Sequence, residues 1–293
     1  MTATTLDRTA PGVPLARSAR AELRRVLRWP VTWVLLGVWL LLNVLFTYVF
    51  DWISYRTGTA TGPAEATTTV DGLLPAAIPD VLTQGMPLFG GALVMILAAL
   101  TVGSGYGWGT WKTVYTQGPS RLAAFGGTLV ALAVLVAGLV LITVGVDLAL
   151  SSVIALVESQ GGAGLPALGP LAVSAGGAVL ILGMWASLGV AVGVLSRSPA
   201  LSAGLGLIWA LVVENLLRGV STALPAIEGV VYRLPGSSAG SVAGALGAAP
   251  VTDGGSPGVL TELSGLAATG LTAGYLVVGV AVALAVVARR DLL

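Results

Sequence analysis

The chain has 293 residues, of which 56% are hydrophobic and only 9% are charged, and its mean hydropathy is +0.94. Because soluble domains carry about 25% charged residues, this composition excludes an ordinary water-soluble fold. Cysteine and histidine are both absent, which excludes disulfides, thiolate nucleophiles, Ser-His dyads and the commonest zinc ligands. We therefore expect no catalytic, cofactor-binding or metal-binding residues in this chain. The net charge of +1 predicts no nucleic-acid partner.

Residues 1–30 predict a cytoplasmic tail followed by an amphipathic helix. An apolar stripe recurs at three- and four-residue spacing, formed by Leu15, Ala19, Leu23 and Val26. Basic residues occupy the opposite face, namely Arg17, Arg20, Arg24 and Arg28. This pattern predicts a helix over residues 15–29 that lies flat on the inner membrane face, and Pro30 should end it. In the alternative interpretation, the basic residues only set the orientation of the chain in the membrane, and the segment happens to be helical.

Six apolar stretches are each about long enough to cross a bilayer, which takes roughly 17–25 residues of helix. They cover residues 31–50, 86–102, 122–146, 171–195, 200–217 and 266–288. With both termini inside, most basic residues fall on the inner side, as expected for a membrane protein. These are Arg8, Arg17, Arg20, Arg24, Arg25, Arg28, Lys112, Arg121, Arg197, Arg289 and Arg290. The sequence thus predicts one all-α, multi-pass domain over residues 1–293, in the plasma membrane, with both termini cytoplasmic.

Two connections on the predicted outer side are long. Residues 51–85 are rich in Thr, Pro and Gly, so we expect a loop with at most a short helix around residues 69–77. Residues 218–265 are only half polar and contain semi-apolar runs at 223–232 and 237–249. Because these runs are too short to span, we expect short helices that dip into the outer leaflet.

The connection over residues 103–121, on the predicted inner side, combines aromatic and polar side chains. Trp108, Trp111 and Tyr115 alternate with Thr110, Lys112, Thr113, Thr116 and Gln117, and Lys112 is the only lysine of the chain. Such a mixture suits a surface that docks on another protein. Aromatic residues that merely mark the membrane edge are the other interpretation.

The order of residues in this connection resembles a known family. Gly109-Thr110 comes first, Lys112, Thr116 and Gly118 follow, and Ser120-Arg121 precedes the third apolar stretch. This order resembles the Gly-Thr and Ser-Arg segment of permeases of the ABC type-2 transporter family, the membrane subunits of ATP-driven exporters. The basic helix, the six spans, the long outer segment and the terminal Arg-Arg-Asp-Leu are similar too. The chain departs from the family at two places. Such permeases often have an acidic residue just before the Gly-Thr pair, where this chain has Gly107 and Trp108, and many have a lysine after the Ser-Arg pair, where Thr128 stands.

The resemblance implies that residues 103–121 form a coupling segment moved by cytoplasmic ATPase subunits, which would hold ATP and Mg. It implies that the ATPase contacts are Gly109, Thr110, Trp111, Lys112, Thr113, Tyr115, Gln117 and Arg121. It also implies two permease copies around one pathway, either a homodimer or a pair with a related chain. Independently, the only lysine follows Trp111 and not glycine, so the chain lacks a phosphate-binding loop and cannot be the ATPase itself.

Four polar residues inside or near the apolar stretches are candidates for the pathway or its outer gate. They are Asn43, Asp147, Glu214 and Asn215. Glu214 and Arg218 are four residues apart, so a simple pair at a helix end is the other interpretation of Glu214. Asn43 either lines the pathway or bonds to a neighbouring helix.

Three rival functions remain open at this point. A secondary transporter or channel that works without ATP usually places ionisable groups near the middle of the membrane, and the centres of the six stretches contain none. An intramembrane enzyme would need a Ser-Lys dyad or paired aspartates, but Lys112 lies outside the stretches and Asp147 has no aspartate partner within them. A structural anchor would tolerate substitutions over residues 111–117. The sequence indicates no particular substrate.

Overall fold

The computed structural model describes residues 12–59, 69–116, 120–159 and 164–289, and the main elements within these ranges are helices, with no strand. We number the longer ones in chain order. They are α1 (Gly12–Leu27), α2 (Pro30–Thr57), α3 (Met86–Gly107), α4 (Thr110–Thr116), α5 (Arg121–Val157), α6 (Leu168–Ser196), α7 (Pro199–Ala223), α8 (Pro225–Val231), α9 (Pro235–Ala245) and α10 (Gly265–Arg289). Six of them, α2, α3, α5, α6, α7 and α10, are long and apolar enough to cross a membrane. The all-α fold with six candidate spans is thus confirmed.

The helices extend beyond the apolar stretches that predict them. α2 continues to Thr57 and α5 continues to Val157. With 37 residues, α5 is about 55 Å long at 1.5 Å per residue, well above the roughly 30 Å of a hydrocarbon core. The extension of α2 begins at the polar residue Asp51, and that of α5 begins at Asp147 but is otherwise mostly apolar, so the polar residue interrupts the apolar stretch without ending the helix.

The centre of the bundle is the contact between α3 and α6, which are the most buried spans. Two glycines of α6, Gly189 and Gly193, face the backbone of α3. A Cβ atom at these positions would meet the carbonyl oxygens of Met95 and Ala99. Small residues at this spacing let helices approach closely in a membrane, so they set the distance between the two central helices.

Helix α1 packs along α5. The Ser18 hydroxyl donates to the carbonyl oxygen of Ala124 at 3.1 Å, and the Arg25 guanidinium donates to that of Thr101, also at 3.1 Å. Val26 is fully buried, and Leu23 packs against the core. The later part of the apolar stripe, Leu23 and Val26, therefore faces protein, whereas Leu15 at its start is exposed. The basic stripe is exposed at Arg17, Arg20, Arg24 and Arg28. We call the end of the bundle that carries α1 the α1 end, and the opposite end the far end.

The far end is closed by short helices. Two 3-10 turns, Val70–Leu73 and Pro75–Ala77, and the one-turn helix Ile78–Val81 precede α3, in the region where the sequence predicts a short helix. In α9, every residue from 235 to 243 is buried. The short helix α9 therefore lies inside the protein, against α10 and the start of α3. Its Gly, Ser and Ala residues allow this close packing.

Three spans contain a π-helical stretch, at Val44–Val49, Met86–Gly90 and Ile208–Val213. Such stretches are uncommon and often occur at functional sites. Each one begins or ends within two residues of a buried polar side chain, namely Asn43, Gln84 and Glu214. Irregular helix geometry and buried polarity therefore coincide in this bundle.

Candidate functional site

The corner formed by α3, α4 and α5 is built around Trp111. Its indole nitrogen donates to the carbonyl oxygen of Val102 at 3.3 Å, and its ring lies 6.1 Å from Tyr106 and 5.8 Å from Phe125 between centroids. Gly105 leaves the space that the indole occupies, because a Cβ atom there would overlap it. Trp111 thus holds α4 against both neighbouring spans.

Other helices reach the same corner at the α1 end. Trp108 is 68% exposed and stands edge-on to Trp29, with 6.2 Å between ring centroids. The Arg197 guanidinium lies over the ring of Tyr106 at 5.8 Å. Gly109 has a φ of +67°, a conformation that favours glycine, and it makes the tight turn into α4. The start of α2 and the end of α6 therefore both contact the corner.

The predicted ATPase contacts divide into groups within this corner. Thr110 and Thr113 are exposed on α4, whereas Gly109 and Arg121 are half-buried at its two sides. Trp111 is only 7% exposed, so it positions the helix and offers little surface to a partner. Lys112 and Tyr115 belong to α4, but their side chains, like the whole of Gln117, lie outside the described residues.

A row of polar side chains, which we call the polar seam, joins α2 to α5. The Trp39 indole donates to the Thr143 hydroxyl at 3.0 Å. One turn further along both helices, the Asn43 amide donates to Oδ1 of Asp147 at 2.7 Å. All four side chains are buried. The structure thus brings together two of the predicted pathway residues, Asn43 and Asp147.

Asp147 directly follows the apolar stretch 122–146 that predicts α5. Because α5 ends at Val157, Asp147 lies ten residues inside the helix. At the far end the seam continues with the Arg56 guanidinium on Glu158 at 2.9 Å and the Tyr55 hydroxyl on the same carboxylate at 3.3 Å. The half of α2 nearer the far end is therefore joined to α5 by polar contacts.

Glu214 is bound at the start of α9. Its Oε1 accepts from the Trp209 indole at 2.9 Å and from the backbone N–H of Gly236 at 3.0 Å, and its Oε2 accepts from the backbone N–H of Ser237 at 3.2 Å. The first N–H groups of a helix lack intrahelical partners and attract negative charge. Glu214 therefore caps a helix that begins 21 residues later in the chain.

Glu214 and Arg218 interact electrostatically, but among the described residues no salt bridge within 4.0 Å joins them. Arg218 instead donates to the side-chain oxygen of Asn215 at 2.8 Å, and Asn215 is exposed. Glu214 turns inward because the buried end of α9 supplies N–H donors that need a partner. Among the described residues no hydrogen bond joins Glu214 or Asn215 to the polar seam, so the four predicted pathway residues do not form one group.

An apolar cavity of about 180 Å³ lies between α5, α6 and α10. Its lining includes Leu132, Val136, Val190 and Leu276, and Ser187 is its one hydroxyl-bearing residue. None of the predicted pathway residues lines it. Within the described part of the chain, no group of three or more acidic side chains is placed to hold a metal ion.

Comparison with known proteins leaves the family of this chain open. No protein-family model matches the sequence, and no curated protein matches it either. The similarity of residues 109–121 to exporter permeases therefore stays a prediction.

Proposed function

We propose that this chain is the membrane subunit of an ATP-driven exporter. In this proposal it lies in the plasma membrane with both termini in the cytoplasm, and it pairs with a second permease copy. Separate cytoplasmic ABC ATPase subunits supply ATP hydrolysis and dock on the corner around α4. The observation that supports the proposal most is the burial of Trp111 between α3 and α5.

The corner has the connections that a coupling element needs. Trp111 ties α4 to α3 and α5, Arg197 ties the end of α6 to Tyr106, and Trp108 contacts Trp29 at the start of α2. Packed side chains of this kind transmit displacement between rigid helices. A push on α4 would therefore reach four spans, while the exposed Thr110 and Thr113 leave a surface for docking.

The orientation can be tested first, because the chain has no cysteine. Thr113→Cys on α4 and Thr252→Cys at the far end are both exposed positions. We expect a membrane-impermeant thiol reagent to label Thr252→Cys in intact cells and Thr113→Cys only after the cells are opened. Labelling of Thr113→Cys in intact cells would contradict the proposal.

The partner can be tested by affinity capture from native membranes. We expect the wild-type chain to retain an ATPase subunit in stoichiometric amount. The double variant Thr110→Glu/Thr113→Glu should lose it, because carboxylates without partners are costly to bury in an interface. Thr252→Glu is the matched control and should retain it. Capture of the wild-type chain without any ATPase would overturn the proposal.

A second candidate is a secondary transporter or channel that works without ATP. The observation that favours it is Asp147, an ionisable side chain that is fully buried inside a candidate span. Ionisable residues within membranes often mark ion pathways. Transport by the purified chain in vesicles, driven by an ion gradient with no ATPase present, would favour this candidate over the exporter.

A further inference from the structure

We infer that Asp147 is a proton-binding site in the interior of the bundle, where its neutral carboxylic acid forms a cyclic pair with the Asn43 amide. In this pair the amide N–H of Asn43 donates to Oδ1 of Asp147, and the acid O–H on Oδ2 donates back to the amide oxygen. The inference concerns the resting protein alone, so it does not rest on the proposed function.

The first support is the balance of donors and acceptors. The Asn43 amide nitrogen donates to Oδ1 of Asp147 at 2.7 Å. The two other oxygens, Oδ1 of Asn43 and Oδ2 of Asp147, are buried and accept no hydrogen bond. Buried polar groups in native proteins are nearly always paired. One proton on Oδ2 supplies the missing donor, and it gives both oxygens a hydrogen bond at once.

The second support is that neighbouring donors are engaged elsewhere. The Trp39 indole donates to Thr143, and the Thr143 hydroxyl donates to the carbonyl oxygen of Leu139 at 3.0 Å. The Ser151 hydroxyl donates to the carbonyl oxygen of Leu148 at 3.3 Å. None of these groups is therefore free to donate a hydrogen bond to a carboxylate at Asp147.

The third support is the charge around Asp147. In the described ranges, no Lys or Arg nitrogen lies within 4.0 Å of its carboxyl group. The titratable group that contacts it is Tyr48, whose hydroxyl donates to the backbone oxygen of Asp147 at 3.4 Å and also reaches its side chain. Asp51 lies close to Tyr48. A buried carboxyl group that has neither a nearby cation nor enough hydrogen-bond donors takes up a proton.

The pair has a structural consequence for α2. Loss of the proton would leave an anion with few donors, facing the amide oxygen of Asn43, so the seam between α2 and α5 should loosen. The π-helical stretch Val44–Val49 begins directly after Asn43, and it provides a place where α2 can adjust. The bound proton therefore stabilises the contact between α2 and α5.

Infrared difference spectroscopy on the purified full-length chain tests the protonation directly. The wild-type minus Asp147→Asn spectrum at neutral pH should contain the C=O band of a protonated carboxylic acid, and this band should shift in D₂O. Asn43→Leu should move the band, because the acid loses its partner, whereas Tyr48→Phe should retain it. A difference spectrum that contains only carboxylate bands would overturn the inference, as would loss of the band in Tyr48→Phe.

Thermal unfolding in detergent provides a second readout. Asp147→Asn replaces the acid O–H by an amide N–H with the same hydrogen-bonding pattern, so its unfolding midpoint should equal that of the wild type. Asp147→Leu should unfold at a lower temperature. If the site held a metal cation instead, Na⁺ would raise the wild-type midpoint relative to choline, and Asp147→Asn would remove this effect. That result would overturn the proton assignment.

Discussion

Two carboxyl groups, Glu214 and Asp147, are fully buried in this bundle, but their surroundings differ. Glu214 accepts three N–H donors, two of which belong to the first turn of α9. The side chain of Asp147 accepts a hydrogen bond from Asn43 at 2.7 Å, the Tyr48 hydroxyl also reaches it, and its Oδ2 has no partner. Burial is equal, so the supply of donors and the charge of Arg218 near Glu214 must decide the ionisation state. We interpret Glu214 as an ionised cap and Asp147 as a neutral acid, and this contrast can be tested by substitution.

The largest effect is expected at Glu214. In Glu214→Gln the negative charge at the start of α9 is lost, and the new NH₂ group faces backbone N–H groups that are themselves donors. Hydrogen bonds to charged groups contribute about 1.5–3 kcal/mol each, so we expect a loss of about 3 kcal/mol or more. The free energy of unfolding in detergent measures it. A variant as stable as the wild type would show that Glu214 is not an ionised cap.

A smaller loss is expected when the pair at Asp147 is broken. Asp147→Leu leaves the Asn43 amide buried without a partner, which costs about 1–3 kcal/mol. The double variant Asn43→Leu/Asp147→Leu removes both polar partners and should recover part of this loss. A double-mutant cycle on unfolding free energies measures the coupling between the two positions. Purely additive effects would contradict a direct pair.

Removal of one donor from Glu214 should have a moderate effect. Trp209→Phe deletes the indole N–H that donates at 2.9 Å but leaves the two backbone donors in place. We expect a loss of about 1–2 kcal/mol, because one charge-assisted hydrogen bond is removed. Trp33→Phe is a suitable control, since its indole donates to a backbone oxygen at an exposed position of α2. Equal losses in the two variants would argue against a special role for Trp209.

The smallest effect is expected for Asp147→Asn. Because an amide can replace a neutral acid in the pair with Asn43, the unfolding free energy should change by less than about 0.5 kcal/mol, the usual range for a tolerated substitution. The same chemical change is expected to be the most harmful one at Glu214. Similar losses for Asp147→Asn and Glu214→Gln would remove the distinction between the two carboxyl groups.

The sequence predicts the spans well but the partners of polar residues poorly. Asn43 and Asp147 stand out as polar residues in apolar stretches, but they are 104 positions apart, and no local pattern indicates that they meet. At Glu214 the local rule points to Arg218, four residues away, whereas the actual donors of α9 lie 22 and 23 positions further on. Trp111 resembles an exposed docking residue in the sequence, and only the path of α3 past α4 shows that it is buried.

By itself, the sequence determined the helical class and the number of candidate spans. These properties depend on the length and hydropathy of continuous stretches, and each stretch carries this information locally. The tertiary structure alone decided that Glu214 receives two backbone donors from α9 while Oδ2 of Asp147 receives none. It also decided which tryptophan anchors α4. These outcomes depend on how helices distant in the chain approach each other, because a buried polar group takes whichever donor the packing places beside it.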